Sequence, residues 1–382
     1  MTATAAPATS ARRWWTLVAM TLPLMILNID FFGITVALPS IGRDLNADTS
    51  SLGWVINGFM LAFAAPQIAV GRLGDIYGRR MVLLAGLAIF AVASALAGVA
   101  QEVWWLIAAR VAQGLGTAIF FVSSLSIVSN VFPRSERGVG IGVWTAVGAV
   151  GSSIGPLVGG FLSEGLSWRW FFYVNVPIAV IAMIMTLLVV QESRDETAPR
   201  SIDIRGLATL TAGLVLIVFG IQTSGAEGWR SALVLGPIGA GVVLLALFLL
   251  IEPRVRNPLI DFALFRSRNF AGAVGAAFIG NWVFGAVMFF LTLYLQQIRD
   301  QSPVRAGATF LMFTVPYAAL SPVAGRAMRP IGVRWSLLVG MTLIVISSVL
   351  FAMIDVETGI VLILAALLIF AIGEAFAYNV ST

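Results

Sequence analysis

Gly71-Arg-Leu-Gly-Asp-Ile-Tyr-Gly-Arg-Arg80 recurs in eroded form 254 positions later, as Gly325-Arg-Ala-Met-Arg-Pro-Ile-Gly-Val-Arg334. At that offset Gly71, Arg72, Gly78 and Arg80 fall on Gly325, Arg326, Gly332 and Arg334. The register holds from Gly53/Gly307 through Leu83/Leu337, Gly86/Gly340 and Ser94/Ser348 to Leu96/Leu350. In a chain with 38 glycines single coincidences are cheap, but one offset sustained from Gly53 to Leu96 is not. Each copy is a short basic loop between two long apolar runs. A duplicated membrane unit of this kind underlies many secondary transporters, with the substrate site where the repeats meet.

Composition names the solvent. Of 382 residues 59% are hydrophobic and only 11% charged, against about a quarter charged in a soluble domain. A hydrocarbon core of ~30 Å takes about 20 apolar residues in a helix. Runs of that length begin near Trp14, Leu52, Met81, Val103, Gly138, Trp170, Gly206, Ser231, Asn269, Arg305, Ser336 and Gly359. The alternating decapeptides of an outer-membrane barrel do not occur. An all-α polytopic membrane protein is therefore expected, with about twelve spanning helices. The first run is too long for a signal-peptide core and is broken by Asn28 and Asp30, so it reads as a retained spanner.

Chemistry is excluded by what is missing. There is no cysteine and no histidine, which removes disulfides, thiol catalysis and the commonest metal ligand. No lysine occurs, hence no nucleotide-binding P-loop. Neither an enzyme nor a bound cofactor or metal is expected. All 23 basic residues are arginine, and they lie at helix ends, which points to topology rather than nucleic acid. With the N-terminus in the cytoplasm, Arg43, Arg169, Arg230, Arg299 and Arg305 fall outside, Arg110 falls within a spanner and the remaining seventeen fall inside. That bias predicts a multi-pass protein of the cell membrane with a cytoplasmic N-terminus. Trp14, Trp15, Trp54, Trp104, Trp105, Trp168 and Trp335 lie near span ends and are expected to anchor at headgroups.

The expected order is a disordered tail (1–12), a six-helix bundle (13–190) and a charged cytoplasmic linker (191–205). Two additional spanners (206–252) follow, then a cytoplasmic loop (253–268) and four helices of a second bundle (269–382). By the repeat offset the second bundle should run to about residue 444, so two spanners are expected to be missing from a C-terminally truncated chain.

The Gly71–Arg80 loop resembles the signature loop of the major facilitator superfamily, Gly-x-Leu-x-Asp-Arg/Lys-x-Gly-Arg/Lys-Arg/Lys. Gly71, Leu73, Asp75, Gly78, Arg79 and Arg80 meet the pattern, while Ile76 drops one basic residue. The resemblance implies a gating loop whose Asp75 caps a helix of the opposite half, where a carboxylate gains from the helix dipole. The bland alternative is a merely topogenic basic loop.

Gly151-Ser-Ser-Ile-Gly-Pro-Leu-Val-Gly-Gly160 resembles the superfamily's antiporter motif. Gly151, Gly155 and Gly159 at helical spacing, with Gly160, give a bare face for close helix approach, and Pro156 lets the helix bend. Ordinary small-residue packing would leave the same pattern. Arg110-Val-Ala-Gln113-Gly114 resembles the helix-four motif associated with proton coupling. The alternative is a structural arginine bonding backbone carbonyls.

Asp30, in Asn28-Ile-Asp-Phe-Phe32-Gly-Ile-Thr-Val-Ala-Leu-Pro39, resembles the first-helix motif of the fourteen-spanner drug:proton antiporters. Phe32 and Thr35 stand where Thr and Asn are common in that family. A carboxyl at membrane depth is a natural proton carrier. The resemblance implies proton-coupled efflux of hydrophobic or cationic small molecules by alternating access, with Asp30 and Arg110 coupling protons. Asn28, Phe32, Gln113, Trp282 and Glu374 are the candidates for the substrate cavity. Small-molecule substrate, protons and lipid are the expected partners, with no nucleic acid and a monomeric chain. An uptake symporter, a lipid or siderophore exporter, or a non-transporting fragment remain the alternatives.

Overall fold

The computed structural model describes residues 10–133, 136–194, 203–255, 258–301 and 303–381. Most of the expected tail, and linker residues 195–202, lie outside them. The described chain is helical throughout: α1 (Ser10–Asp44), α2 (Thr49–Ala64), α3 (Gln67–Tyr77), α4 (Arg79–Gly98), α5 (Val103–Val131), α6 (Arg137–Gly165) and α7 (Trp168–Val189). Then come α8 (Ile204–Glu227), α9 (Ala232–Ile251), α10 (Arg268–Leu293), α11 (Pro303–Ile331), α12 (Val333–Ala352) and α13 (Ile360–Ser381). Among the described residues eleven helices are long and apolar enough to span a membrane, and α2 with α3 makes a twelfth span bent by 47°. The break falls at Ala65–Pro66, where proline withdraws a backbone donor.

The repeat is visible in the backbone. Gly78 ends α3 with φ +108°, and its counterpart Gly332 ends α11 with φ +82°. Both stand one residue before the next helix starts, in a region of φ that favours glycine. The eroded copy has lost most of its side chains and kept its turn.

The chain forms two compact units, each drawn from separated stretches. The first takes residues up to Val36, Val128–Gly165 and Ala263 onward, so it holds most of α1 with α6 and α10–α13. The second takes Ala37–Ile127 and Leu166–Phe262, so it holds α2–α4, most of α5, and α7–α9.

Small residues set the close contacts inside both units, as expected where lipid removes the hydrophobic drive between helices. In the second unit a Cβ on Gly86 of α4 would lie 2.8 Å from the Phe120 amide nitrogen of α5, and one on Gly241 of α9 would lie 2.6 Å from the Gly213 carbonyl of α8. In the first, a Cβ on Gly325 of α11 would lie 2.9 Å from the Gly138 carbonyl of α6. Large apolar side chains, among them Phe161, Leu188, Leu233, Leu250 and Val361, stand exposed on helix surfaces, which is stable only against lipid.

One expected anchor is corrected. Trp14, Trp15, Trp104, Trp105 and Trp335 are exposed, but Trp168 is 3% exposed. Its indole N–H donates to Asp44 Oδ2 at 3.1 Å, beside an Arg169–Asp44 ion pair of 2.6 Å. The Arg169 guanidinium lies 4.4 Å from the Trp168 ring centroid. Proximity to a span end in sequence could not reveal this lock across helix ends.

Candidate transport site

The signature loop is held by a carboxylate from outside it. Glu192 accepts the Arg80 N–H at 3.0 Å and the Met81 N–H at 3.1 Å, satisfying the first free donors of α4. Gly78 is required for its positive φ, and a Cβ there would also lie 2.6 Å from the Glu192 carboxyl and displace the capping side chain. The Arg79 N–H donates to the Ser193 carbonyl at 2.9 Å, and the Arg80 guanidinium donates to the Leu187 carbonyl at 2.9 Å. Asp75 of α3 pairs with Arg79, the first residue of α4, at 2.8 Å across the Gly78 turn. Gly71 leaves only van der Waals room for the Val122 methyl, 3.8 Å from where its Cβ would stand. Glu192, a residue of the expected linker, thus caps α4. Glu192→Ala should cost α4 about 1 kcal/mol of N-terminal stability. Hydrogen exchange at the Arg80 and Met81 amides should quicken severalfold; unchanged exchange would show that water replaces the cap without loss.

Arg110 is fully buried in α5. Its Nε donates to the Val55 carbonyl of α2 at 3.2 Å and its Nη1 to Gln113 Oε1 at 3.0 Å. Gln113 in turn donates to Ser94 Oγ of α4 at 2.7 Å, and the guanidinium lies 4.1 Å from the Phe59 ring centroid. Such carbonyl, amide and ring contacts are how an arginine is tolerated at membrane depth. Gln113, a candidate for the substrate cavity, is engaged in this packed network.

In the other unit α1 and α6 meet along the expected glycine face. A Cβ on Gly151 would lie 2.8 Å from the Met25 carbonyl, on Gly155 2.9 Å from the Ile29 carbonyl, and on Gly159 2.3 Å from the Gly33 carbonyl. Gly160 is buried on the same helix, which also carries Pro156 within it. Across the seam Ser152 Oγ donates to Asn28 Oδ1 at 2.9 Å, and Asn28 Nδ2 donates to the Leu24 carbonyl at 2.8 Å. Asp30, on the same stretch of α1, is fully buried.

Beside this seam lies a cavity walled by α1, α6, α10 and α11, with about 520 Å³ not filled by atoms, part of it open. Its apolar wall is Phe32, Phe284, Met288, Phe310 and Phe313, and its polar groups are Thr35, Ser152, Thr292, Gln296 and Thr314. Among the described residues no charged side chain lines it. Phe284 stands edge-on to Phe32 at 6.3 Å and tilted to Phe313 at 5.5 Å. Phe32 was legible in the sequence, whereas Phe284, Phe310 and Phe313 were indistinguishable from lipid-facing aromatics. Trp282 is 71% exposed and takes no part in the wall. Glu374 of α13 is 5% exposed, and its Oε1 has no hydrogen-bond partner among the described residues. It stands opposite Gly280 of α10, where a Cβ would lie 3.4 Å from that oxygen.

The sequence profile of the Major Facilitator Superfamily matches residues 21–382. The chain belongs to that superfamily, a family of transporters and not of enzymes. Among its relatives, the tetracenomycin C resistance and export protein of Streptomyces glaucescens is 33% identical over 91% of this chain and 65% of its own length. The puromycin resistance protein pur8 of Streptomyces alboniger is 36% identical over 84% of this chain and 63% of its own length. The chain thus spans less than two thirds of these two relatives. The human organic anion transporter MFSD10 (TETRAN) shares the fold, with a TM-score of 0.69 at 18% identity, covering 98% of this chain and 85% of that one. This major facilitator chain is a multi-pass membrane protein related to drug efflux proteins.

Proposed function

We propose that the protein is a proton-coupled exporter of hydrophobic, ring-bearing small molecules, working by alternating access from a cytoplasmic N-terminus as a monomer. The observation that carries the reading is the aromatic, hydroxyl-lined cavity on the same helix as the buried Asp30. That one relative is a resistance and export protein and another a resistance protein supports the direction.

The chemistry divides between the helix faces. Phe32 and Asn28 are one turn apart on α1, while Asp30 lies about 200° round the helix from Phe32 at ~100° per residue. Substrate contact and proton carriage therefore fall to different faces of α1. Asp30 takes a proton on the outward side and gives it up on the inward side, with Arg110 assisting. The signature loop (Gly71, Asp75, Gly78, Arg79 and Arg80) works the cytoplasmic gate, and the glycine seam with Pro156 lets α6 bend against α1. An uncharged lining selects by ring stacking and hydroxyl hydrogen bonds, and a cationic substrate would have to reach Glu374 beyond the wall.

In proteoliposomes with an imposed pH gradient, the protein should drive a fluorescent aromatic dye against the proton flow. Phe313→Ala should raise the dye's apparent KM severalfold with less change in maximal rate. Dye movement along with the proton would mean symport, and no gradient-dependent movement would refute coupling. An unaltered KM would move the substrate elsewhere.

A further inference from the structure

The two inserted helices end on an arrangement that the transport cycle above does not use. Glu252, in the turn that closes α9, is 1% exposed, and its Oε2 has no hydrogen-bond donor among the described residues. It faces the Asp203 carboxyl at the start of α8, whose buried Oδ2 also lacks a donor among the described residues. Both oxygens lie 2.6 Å from the point where a Cβ on Gly206 would sit. The outer oxygens are already satisfied: Asp203 Oδ1 accepts the Gly206 N–H at 2.9 Å, and Glu252 Oε1 accepts the Ile260 N–H at 3.0 Å. Two buried acceptor oxygens thus converge on one point, neither with a donor among the described residues.

We infer that Asp203 and Glu252 hold one proton between them, a carboxyl–carboxylate pair that clamps the loop after α9 onto the N-terminus of α8. Two ionised carboxylates so placed would repel in a site that water does not reach, and a single proton turns that repulsion into a charge-assisted hydrogen bond. The remaining negative charge sits at the N-terminal end of α8, where the helix dipole favours it. A metal ion fits poorly. That dipole opposes a cation, hard divalent ions take six or more oxygens, and no group of three acidic ligands occurs among the described residues.

The charged residues on the surrounding elements have other roles or face outward. Arg72 of α3 donates to the Pro258 carbonyl at 3.0 Å, Arg254 donates to the Leu250 carbonyl, and Arg205 and Asp261 are exposed. The Arg72 contact gives the pair its consequence. Glu252 grips the loop at Ile260, and the same loop is held at Pro258 by an arginine of the signature motif, with Leu259 packed against Ala69 of α3 and Phe248 of α9. On the arginine-based orientation the pair lies at the cytoplasmic end of the hairpin. Loss of its proton as the cytoplasm becomes alkaline would loosen the α8–α9 hairpin from the signature loop.

Infrared spectroscopy of the purified full chain, in water and heavy water across a pH series, reads this directly. Wild type should show a protonated-carboxyl C=O band that disappears as pH rises. Glu252→Gln and Asp203→Asn should each lose that same band, and the double variant should lose no more. The folded state keeps a proton that the carboxyls of the unfolded chain release at about pH 4, so thermal stability should fall as pH rises above that range and level off once the band is lost. In Glu252→Gln the fall should vanish. Gly206→Ala keeps both carboxyls but sets a methyl group against both oxygens, and should also lose the band, which covers the case of single variants that fail to fold. Bands unchanged in both single variants, or two separate bands removed one by each, would overturn the shared proton. Efflux plays no part in these readouts, so they fail or succeed apart from the transport proposal.

Discussion

Asp30→Asn should abolish proton-driven efflux in proteoliposomes while leaving expression and membrane insertion intact. Asn is nearly isosteric with Asp and needs no ionisation, so the packing around a fully buried position is preserved while the titrating group is lost. Removing the group that couples the gradient leaves nothing for the gradient to act on; accumulation against a gradient should fall to background, while energetically downhill exchange of dye persists. Asp30→Glu keeps a titrating carboxyl displaced by one methylene, and should retain part of the coupled rate. Wild-type pumping by Asp30→Asn would remove Asp30 from the coupling role and leave as the residue to test Glu374, a second deeply buried acid of the same unit, whose Oε1 has no hydrogen-bond partner among the described residues. Arg110→Ala is a harsher change, because it strips partners from Val55 and Gln113 at once. It should cost stability as well as transport, so only Arg110→Lys, which keeps the charge, is informative about coupling.

How far the sequence was legible follows from what each signal depends on. Spanning helices depend on local hydropathy, and their starts fall within a few residues of the expected ones, as for Val103, Gly138 and Asn269 against α5, α6 and α10. The repeat depends on backbone conformation, which glycine reports by itself; Gly78 and Gly332 say the same thing in sequence and in φ. What could not be read depends on pairs distant in the chain. Glu192 caps a helix that begins 113 residues earlier, at Arg79, and no periodicity links them. Trp168 is as aromatic and as near a span end as Trp104, yet an aspartate on another helix decides that one is buried and the other exposed. Asp203 and Glu252 look like ordinary linker and loop acids until α8 and α9 are folded against each other. In the cavity, Phe284 and Trp282 are two residues apart and about 200° apart on the helix. One turns inward and the other outward, and hydropathy is equal for both choices.

Gly159→Leu should be the most damaging single change on the α1–α6 seam. The seam is built from backbone on backbone: a Cβ at Gly159 would stand 2.3 Å from the Gly33 carbonyl oxygen and 2.9 Å from its carbon. A flexible side chain in the way can swing aside, but a helix carbonyl cannot move without shifting its helix. Overpacking a core costs about 1–3 kcal/mol where neighbouring side chains can adjust, and here the whole of α1 must move, together with the Ser152–Asn28 hydrogen bond across the same seam. Gly159→Leu should therefore lower the melting temperature of the detergent-purified protein by many degrees, with Gly159→Ala already showing a measurable part of the loss. Gly165→Ala supplies the control, because no described atom outside its own stretch of helix lies within 4 Å of its Cβ position; alanine at the end of the same helix should be neutral or mildly stabilising, by up to ~1 kcal/mol. Pro156→Ala separates packing from bending: it restores a backbone donor without adding bulk against α1, so it should leave the melting temperature nearly unchanged or higher while slowing the transport cycle. Equal melting temperatures for Gly159→Leu and Gly165→Ala would mean that α1 and α6 do not approach this closely in the membrane, and the glycine face would lose its structural basis.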